Sequence, residues 1–200
     1  MMHPRISPPA LRSFLIGAAA PSAILLLVAA GLAEPVNDPI PERIAKSDIR
    51  VELQPVARGL ASPVLLLPAP DGTARLFVVD QPGQVRIVQD GALRPEPFLD
   101  VSERLAKLNK DFDERGLLGL AFDPAFNDAQ SAGHRRLFTY TSEPPATRTD
   151  FANPHATGSP NHQSVIASWR VSAADLNRVD PASRKELMRI DQPQFNHNGG

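Results

Sequence analysis

From Val51 onward the chain is cut into short apolar runs by glycine, proline and aspartate, and this punctuation limits what it can fold into. The runs Val51–Ala57, Val64–Leu67, Leu76–Val79, Val85–Gln89, Pro97–Val101, Leu117–Phe122, Arg136–Thr141, Ser164–Val171 and Glu186–Ile190 are too short for ordinary helices. They are rich in Val, Ile, Leu and Phe, and Asp71-Gly72, Pro82-Gly83 and Asp90-Gly91 stand between them as turn signals. Strands this short and this evenly spaced predict an all-β sandwich, barrel or propeller. Two segments depart from the pattern. Leu105 and Leu108 give Ser102–Lys110 a helical spacing, and Asn177–Arg184 reads as a loop with helical tendency. A repeat favours the propeller: Pro70-Asp71-Gly72 precedes Leu76–Val79 much as Pro124-Ala125-Phe126 precedes Leu137–Tyr140.

The N-terminus does not belong to this pattern. Arg5 and Arg12 precede a nearly unbroken apolar stretch, Phe14–Val28, and Gly31 and Ala33 occupy the small-residue positions before Glu34. Residues 1–33 are the pattern of a secretory signal peptide, with an uncleaved anchor over Phe14–Ala33 as the alternative. Residues 34–50, with Pro35, Pro39 and Pro41, read as a linker, and 51–200 as the folded part. Export implies a periplasmic or secreted protein, off the membrane once the signal is cleaved. Removing 1–33 leaves 167 of 200 residues and moves the formal charge from −1 to −3. A weakly acidic chain has no basic face for phosphates, so nucleic acid is not an expected partner. The absence of cysteine excludes disulfides, thiolate metal sites, a cysteine nucleophile and covalent c-type haem within this stretch.

Few residues carry obvious chemistry. His197 lies in Asn196-His197-Asn198-Gly199-Gly200, where an imidazole titrating near neutrality could take a proton, and the glycines allow close approach of a flat ligand. A histidine in such a loop is also commonly a plain surface residue. Asp111, Asp113, Glu114 and Arg115 form a charged turn before Gly116-Leu117-Leu118-Gly119. Asn109, Asp111 and Asp113 alternate as in a calcium loop, but no glycine turn or distal glutamate follows at the needed spacing. His134, beside Arg135 and Arg136, reads as exposed. His155 and His162 are seven apart without an acidic neighbour, a weak metal pair, so no metal ligand is assigned. Trp169 reads as core. The polar stretch Thr141–Gln163, with four prolines, is either a functional loop or a mobile excursion.

Glu114-Arg115-Gly116-Leu117-Leu118-Gly119-Leu120-Ala121-Phe122-Asp123-Pro124, followed later by His197-Asn198-Gly199-Gly200, resembles the glucose/sorbosone dehydrogenases, quinoproteins that use pyrroloquinoline quinone (PQQ). Gly59–Pro63 and Pro82–Ile87 match that family's first blade, and the resemblance spans about 51–200. It implies a six-bladed β-propeller, of which this stretch would be two blades and the start of a third. It also implies oxidation of a sugar's anomeric hydroxyl, with PQQ and calcium bound and electrons passed to an acceptor. His197 would be the general base. Asn196 stands where the soluble glucose enzymes carry a supporting aspartate, and Glu114 where they carry a glutamine facing substrate or cofactor. The cofactor's basic partners and the calcium ligands would follow the histidine motif, so the stretch is expected to be an N-terminal fragment, inactive by itself. Hedgehog-interacting-type proteins resemble the same family, which leaves a non-catalytic binding propeller as the alternative. A calcium-dependent hydrolase or lactonase propeller is a third reading, but it needs acidic channel ligands that the stretch does not convincingly supply.

Overall fold

The computed structural model describes residues 47–152 and 158–197. The chain divides into two units, 1–50 and 51–200. Of the first only 47–50 is described, an exposed segment in which the Ser47 hydroxyl accepts from the Ile49 N–H at 2.9 Å. The expected signal peptide and most of the linker lie outside the described residues, as does His155. No helix among the described residues is long and apolar enough to cross a membrane.

The second unit is all-β, made of two antiparallel meanders of the kind that form propeller blades. The first sheet runs β1 (Pro63–Pro68), β2 (Leu76–Asp80), β3 (Gln84–Gln89). Its outer edge is shared by two short pieces, β4 (Ala92–Leu93) and β5 (Leu99–Asp100), both paired with β3. Pro95 and Pro97, which have no N–H to give a ladder, interrupt that edge. Asp90 and Gly91 both take positive φ, 53° and 75°, as the tightest hairpin turns require. The second sheet runs β6 (Leu117–Phe122), β7 (Arg136–Glu143), β8 (His162–Val171), β9 (Val179–Gln192) in chain order.

Alternation along these strands decides their faces. On β7, Leu137, Thr139, Thr141 and Glu143 are buried opposite Trp169, Ala167, Val165 and Gln163 of β8. One core fills the space between the sheets. Phe77 meets Phe98 and Phe122 edge-to-face at 4.7 and 5.0 Å, and Phe122 meets Phe126 at 5.1 Å. Trp169 lies in this core as expected, its indole N–H donating to Thr139 Oγ1 at 2.9 Å. β6 is the strand that joins the first sheet, since the Leu117 N–H donates to the Gln81 carbonyl at 2.9 Å.

Several sequence expectations need correction. Val51–Ala57 pairs with nothing and is exposed, so its apolar residues do not make a strand. Ser102–Lys110 keeps only a 3₁₀ turn, Ser102–Arg104. Asn177–Arg184 holds no helix: from Val179 it pairs with β8, with register shifts that absorb Pro181 and its neighbours. The described residues past Gln192 form bends. The polar connection is shorter than expected, because β7 extends to Glu143 and β8 starts at His162. Its first half is tied down. Phe151 bridges Ile190 in parallel, and Gln163 exchanges hydrogen bonds with Ala146.

Candidate functional site

The two sheets carry their chemistry-bearing residues at a common end, where the segment before β6 meets the residues after β9. In Asp113-Glu114-Arg115 the first and third side chains are buried against the fold and Glu114 is half-buried. Asp113 and Arg115 turn inward and pair at 2.6 Å. Asp113 Oδ2 also accepts the Asn109 N–H at 2.7 Å, and Oδ1 accepts the Arg115 N–H at 2.8 Å. Burial pushes the Asp113 carboxyl up, but the hydrogen bonds from Arg115 and Asn109 and the guanidinium charge outweigh it and hold it below the usual carboxylate range. Arg115 continues the chain of contacts to the Lys107 carbonyl (2.9 Å) and to Asn161 Oδ1 (3.1 Å).

Gln81, at the end of β2, fastens this segment to the first sheet. Its amide donates to the carbonyls of Asp113 at 2.7 Å and Arg115 at 2.8 Å. Directly after Arg115 comes Gly116 at φ 144°, where a Cβ would overlap the Gln81 carbonyl. The approach that the Gly116-Leu117-Leu118-Gly119 motif permits is therefore backbone against backbone.

Between the inward Asp113 and Arg115, the Glu114 carboxylate accepts the backbone N–H of His197. The Glu114 N–H in turn lies 3.4 Å from the Phe195 carbonyl. The structure thus brings together the two motifs that the sequence singled out. It joins them through the His197 backbone, and the imidazole stays exposed. His197 has φ 58°, a left-handed conformation uncommon outside glycine and enriched at functional sites. Asn196 is half-buried, and its amide makes no hydrogen bond with the described residues. Phe112 and Phe195 meet edge-to-face at 6.3 Å beside this junction. A cleft of about 380 Å³ adjoins it, lined by Ser62, Gln81, Pro82 and Leu108 to Asp113.

A second layer was not visible in the sequence. His162 is fully buried. Its Nδ1 lies 3.2 Å from Asn161 Oδ1, which makes Nδ1 the protonated nitrogen, and its Nε2 is buried with no hydrogen-bond partner. Burial pushes its pKa down to about 4, and the nearby Arg115 charge adds to the effect against a smaller opposing pull from Asp113. Glu143, also buried, holds Arg184 and Arg189, each at 2.8 Å. Arg189 reaches Gln163 at 3.0 Å and the Pro144 carbonyl at 3.4 Å, so the same cluster grips the start of the long connection.

Among the described residues no group of three or more His, Asp or Glu converges as a metal site, and Asp113 is already committed to Arg115. PQQ carries three carboxylates and needs uncommitted cations. Arg115 and Arg189 are both neutralised by carboxylates, so neither is free to hold a PQQ carboxylate.

No family model matches the chain. Over 149 residues it is 29% identical to the Hedgehog-interacting protein of Homo sapiens, an alignment covering 74% of this chain and 20% of that protein. The Mus musculus Hedgehog-interacting protein aligns to the same extent. The chain spans about a fifth of the length of these curated relatives. Among solved structures it is similar to a putative oxidoreductase (glucose dehydrogenase) from Thermus thermophilus, with 17% identity and TM-score 0.44 over 68% of this chain and 31% of that one. A second glucose dehydrogenase structure aligns with 24% identity and TM-score 0.45, over 71% of this chain and 33% of that one.

Proposed function

We propose that the chain forms part of an exported, sugar-dehydrogenase-like β-propeller in which His197 is the general base that takes the proton of an aldose's anomeric hydroxyl. The observation that carries this reading is the Glu114 carboxylate on the His197 N–H, which fixes two segments 83 residues apart at one point beside a cleft. An exposed imidazole on a backbone held from below can receive a proton without itself being displaced. In this reading PQQ is the hydride acceptor, bound with calcium by residues other than those described, and an external acceptor removes the electrons.

The test uses the full-length protein loaded with PQQ and calcium. His197→Ala should lower kcat on aldoses by about 10²–10⁴-fold, the usual worth of a positioned base, and leave PQQ binding in place. Near-normal turnover would remove His197 from the role. The identity with Hedgehog-interacting proteins favours a second reading, a propeller that binds a protein partner without redox chemistry. A full-length protein that takes up no PQQ would remove the redox reading, and capture of a protein partner by that protein would support the second.

A further inference from the structure

The proposed base leaves open what holds the sugar. We propose that Phe112 is a stacking platform for the substrate's pyranose ring and so a specificity-determining residue of the same site. The proposal rests on the sugar-oxidising reading above.

Phe112 is a large aromatic side chain left 59% exposed, and it lines the cleft of about 380 Å³. That volume lies within the range of about 300–1,000 Å³ usual for small-molecule sites. Exposure does not leave the ring loose. Phe195 packs against it with the two ring planes at 82°. The backbone beyond it is pinned where Gln81 and Arg115 hold Asp113. The sequence spacing gives the placement its meaning. Phe112 lies two residues before Glu114, and Phe195 lies two before His197, so the ring pair and the carboxylate–histidine pair repeat one another along the same two segments. The side chains of Asn109, Lys110 and Asp111 line the same cleft without a hydrogen bond or ion pair to the described residues. A flat apolar face beside uncommitted amide, ammonium and carboxylate groups matches a pyranose, whose axial C–H groups present an apolar face and whose rim is hydroxyl.

The test uses the full-length, PQQ- and calcium-loaded protein and two probes: D-glucose for turnover, and methyl β-D-glucopyranoside, which has no free anomeric hydroxyl, for binding by calorimetry. Phe112→Ala and Phe112→Leu should each weaken glucoside binding about tenfold, roughly the loss of one stacking contact. With glucose the loss should fall on KM rather than kcat. Phe112→Trp should restore binding, since a flat face returns, and Phe151→Ala, at a comparably exposed phenylalanine away from the cleft, should bind as the unaltered protein does. Unchanged affinity in Phe112→Ala, or a Trp variant as weak as the Ala variant, would overturn the platform. The two readings fail separately. Glucoside binding that depends on Phe112 in a protein that oxidises no sugar sinks the redox reading and keeps the platform. Sugar oxidation with an unmoved KM in Phe112→Ala does the reverse.

Discussion

His162 shows how much a single side chain can ask of its surroundings. It is a histidine with no exposed surface, one ring nitrogen beside the Asn161 amide oxygen and the other without a partner, and the Arg115 guanidinium near it. All of this favours the neutral ring, so its pKa falls from 6.5 to about 4 on folding. The unfolded chain then binds the proton more tightly. Stability from this group is complete above about pH 6.5 and is lost as pH falls toward 4, by up to about 3 kcal/mol. Asp113, Asp150 and Glu186, whose pKa values are lowered, begin to lose their contributions only below about pH 4.5, so most of the His162 window lies above theirs. Thermal melts at pH 7 and pH 5 should show the loss, and His162→Gln should flatten it; an unchanged slope in that variant would place the titration elsewhere. At this scale the sequence was half legible. His197 and Glu114 drew notice because a histidine before paired glycines and an acid before a glycine-bounded strand are unusual in themselves. Asp113 and His162 drew notice only as a weak calcium loop and a weak metal pair, and Asn161 drew none, because their meaning comes from an arginine that reaches across the fold. The alternation of Asp113 and Arg115 was the one available signal.

Elements were most legible where both alternation and turns were written locally. β2, β3, β6, β7 and β8 fell close to the apolar runs because each is bounded by glycine, proline or aspartate and fills one face with branched or aromatic residues. Val51–Ala57 has the composition of a strand but no neighbour to pair with, and β9 has an unpromising first half that pairs only because β8 lies beside it. Two predictions belong here. Gly116→Ala combines a positive φ with an overlap on the Gln81 carbonyl, so it should cost roughly 3 kcal/mol, read as a fall in denaturant midpoint at constant m-value. A cost as small as that of an ordinary surface change would mean the backbone approach is not rigid. Gln163→Leu keeps the side chain's bulk but removes its bonds to Ala146, Arg148 and Asp191. It should hasten protease cleavage between Ala146 and Phe151 while the rest of the unit stays resistant. Equal cleavage rates would show that the connection is held by other contacts.

For the unit as a whole, the phenylalanine cluster makes the two sheets one folding body. Phe77 contacts Phe98, just before β5 of its own sheet, and Phe122 in the other, and all three are packed in the core. Phe77→Ala should therefore cost about 3–5 kcal/mol and lower a single melting transition reported alike by probes in either sheet. Two separate transitions would show that each sheet is stable without the other. The all-β class was readable from strand length and spacing, but the joint between the sheets was not, because it depends on Gln81, whose partners Asp113 and Arg115 are 32 and 34 residues away in the chain. That joint has a consequence for how such a protein can change over time. Gln81 and the segment it fastens, Asp113 to Gly116, lie beside different sheets, and the seam asks for a glutamine on one side and a glycine on the other. A crossover between relatives that falls between residues 81 and 113 would inherit a blade from each parent and a mismatched seam beneath Glu114. Viable hybrids should therefore carry both pieces from the same parent, so the heritable module at this site straddles the blades instead of coinciding with one.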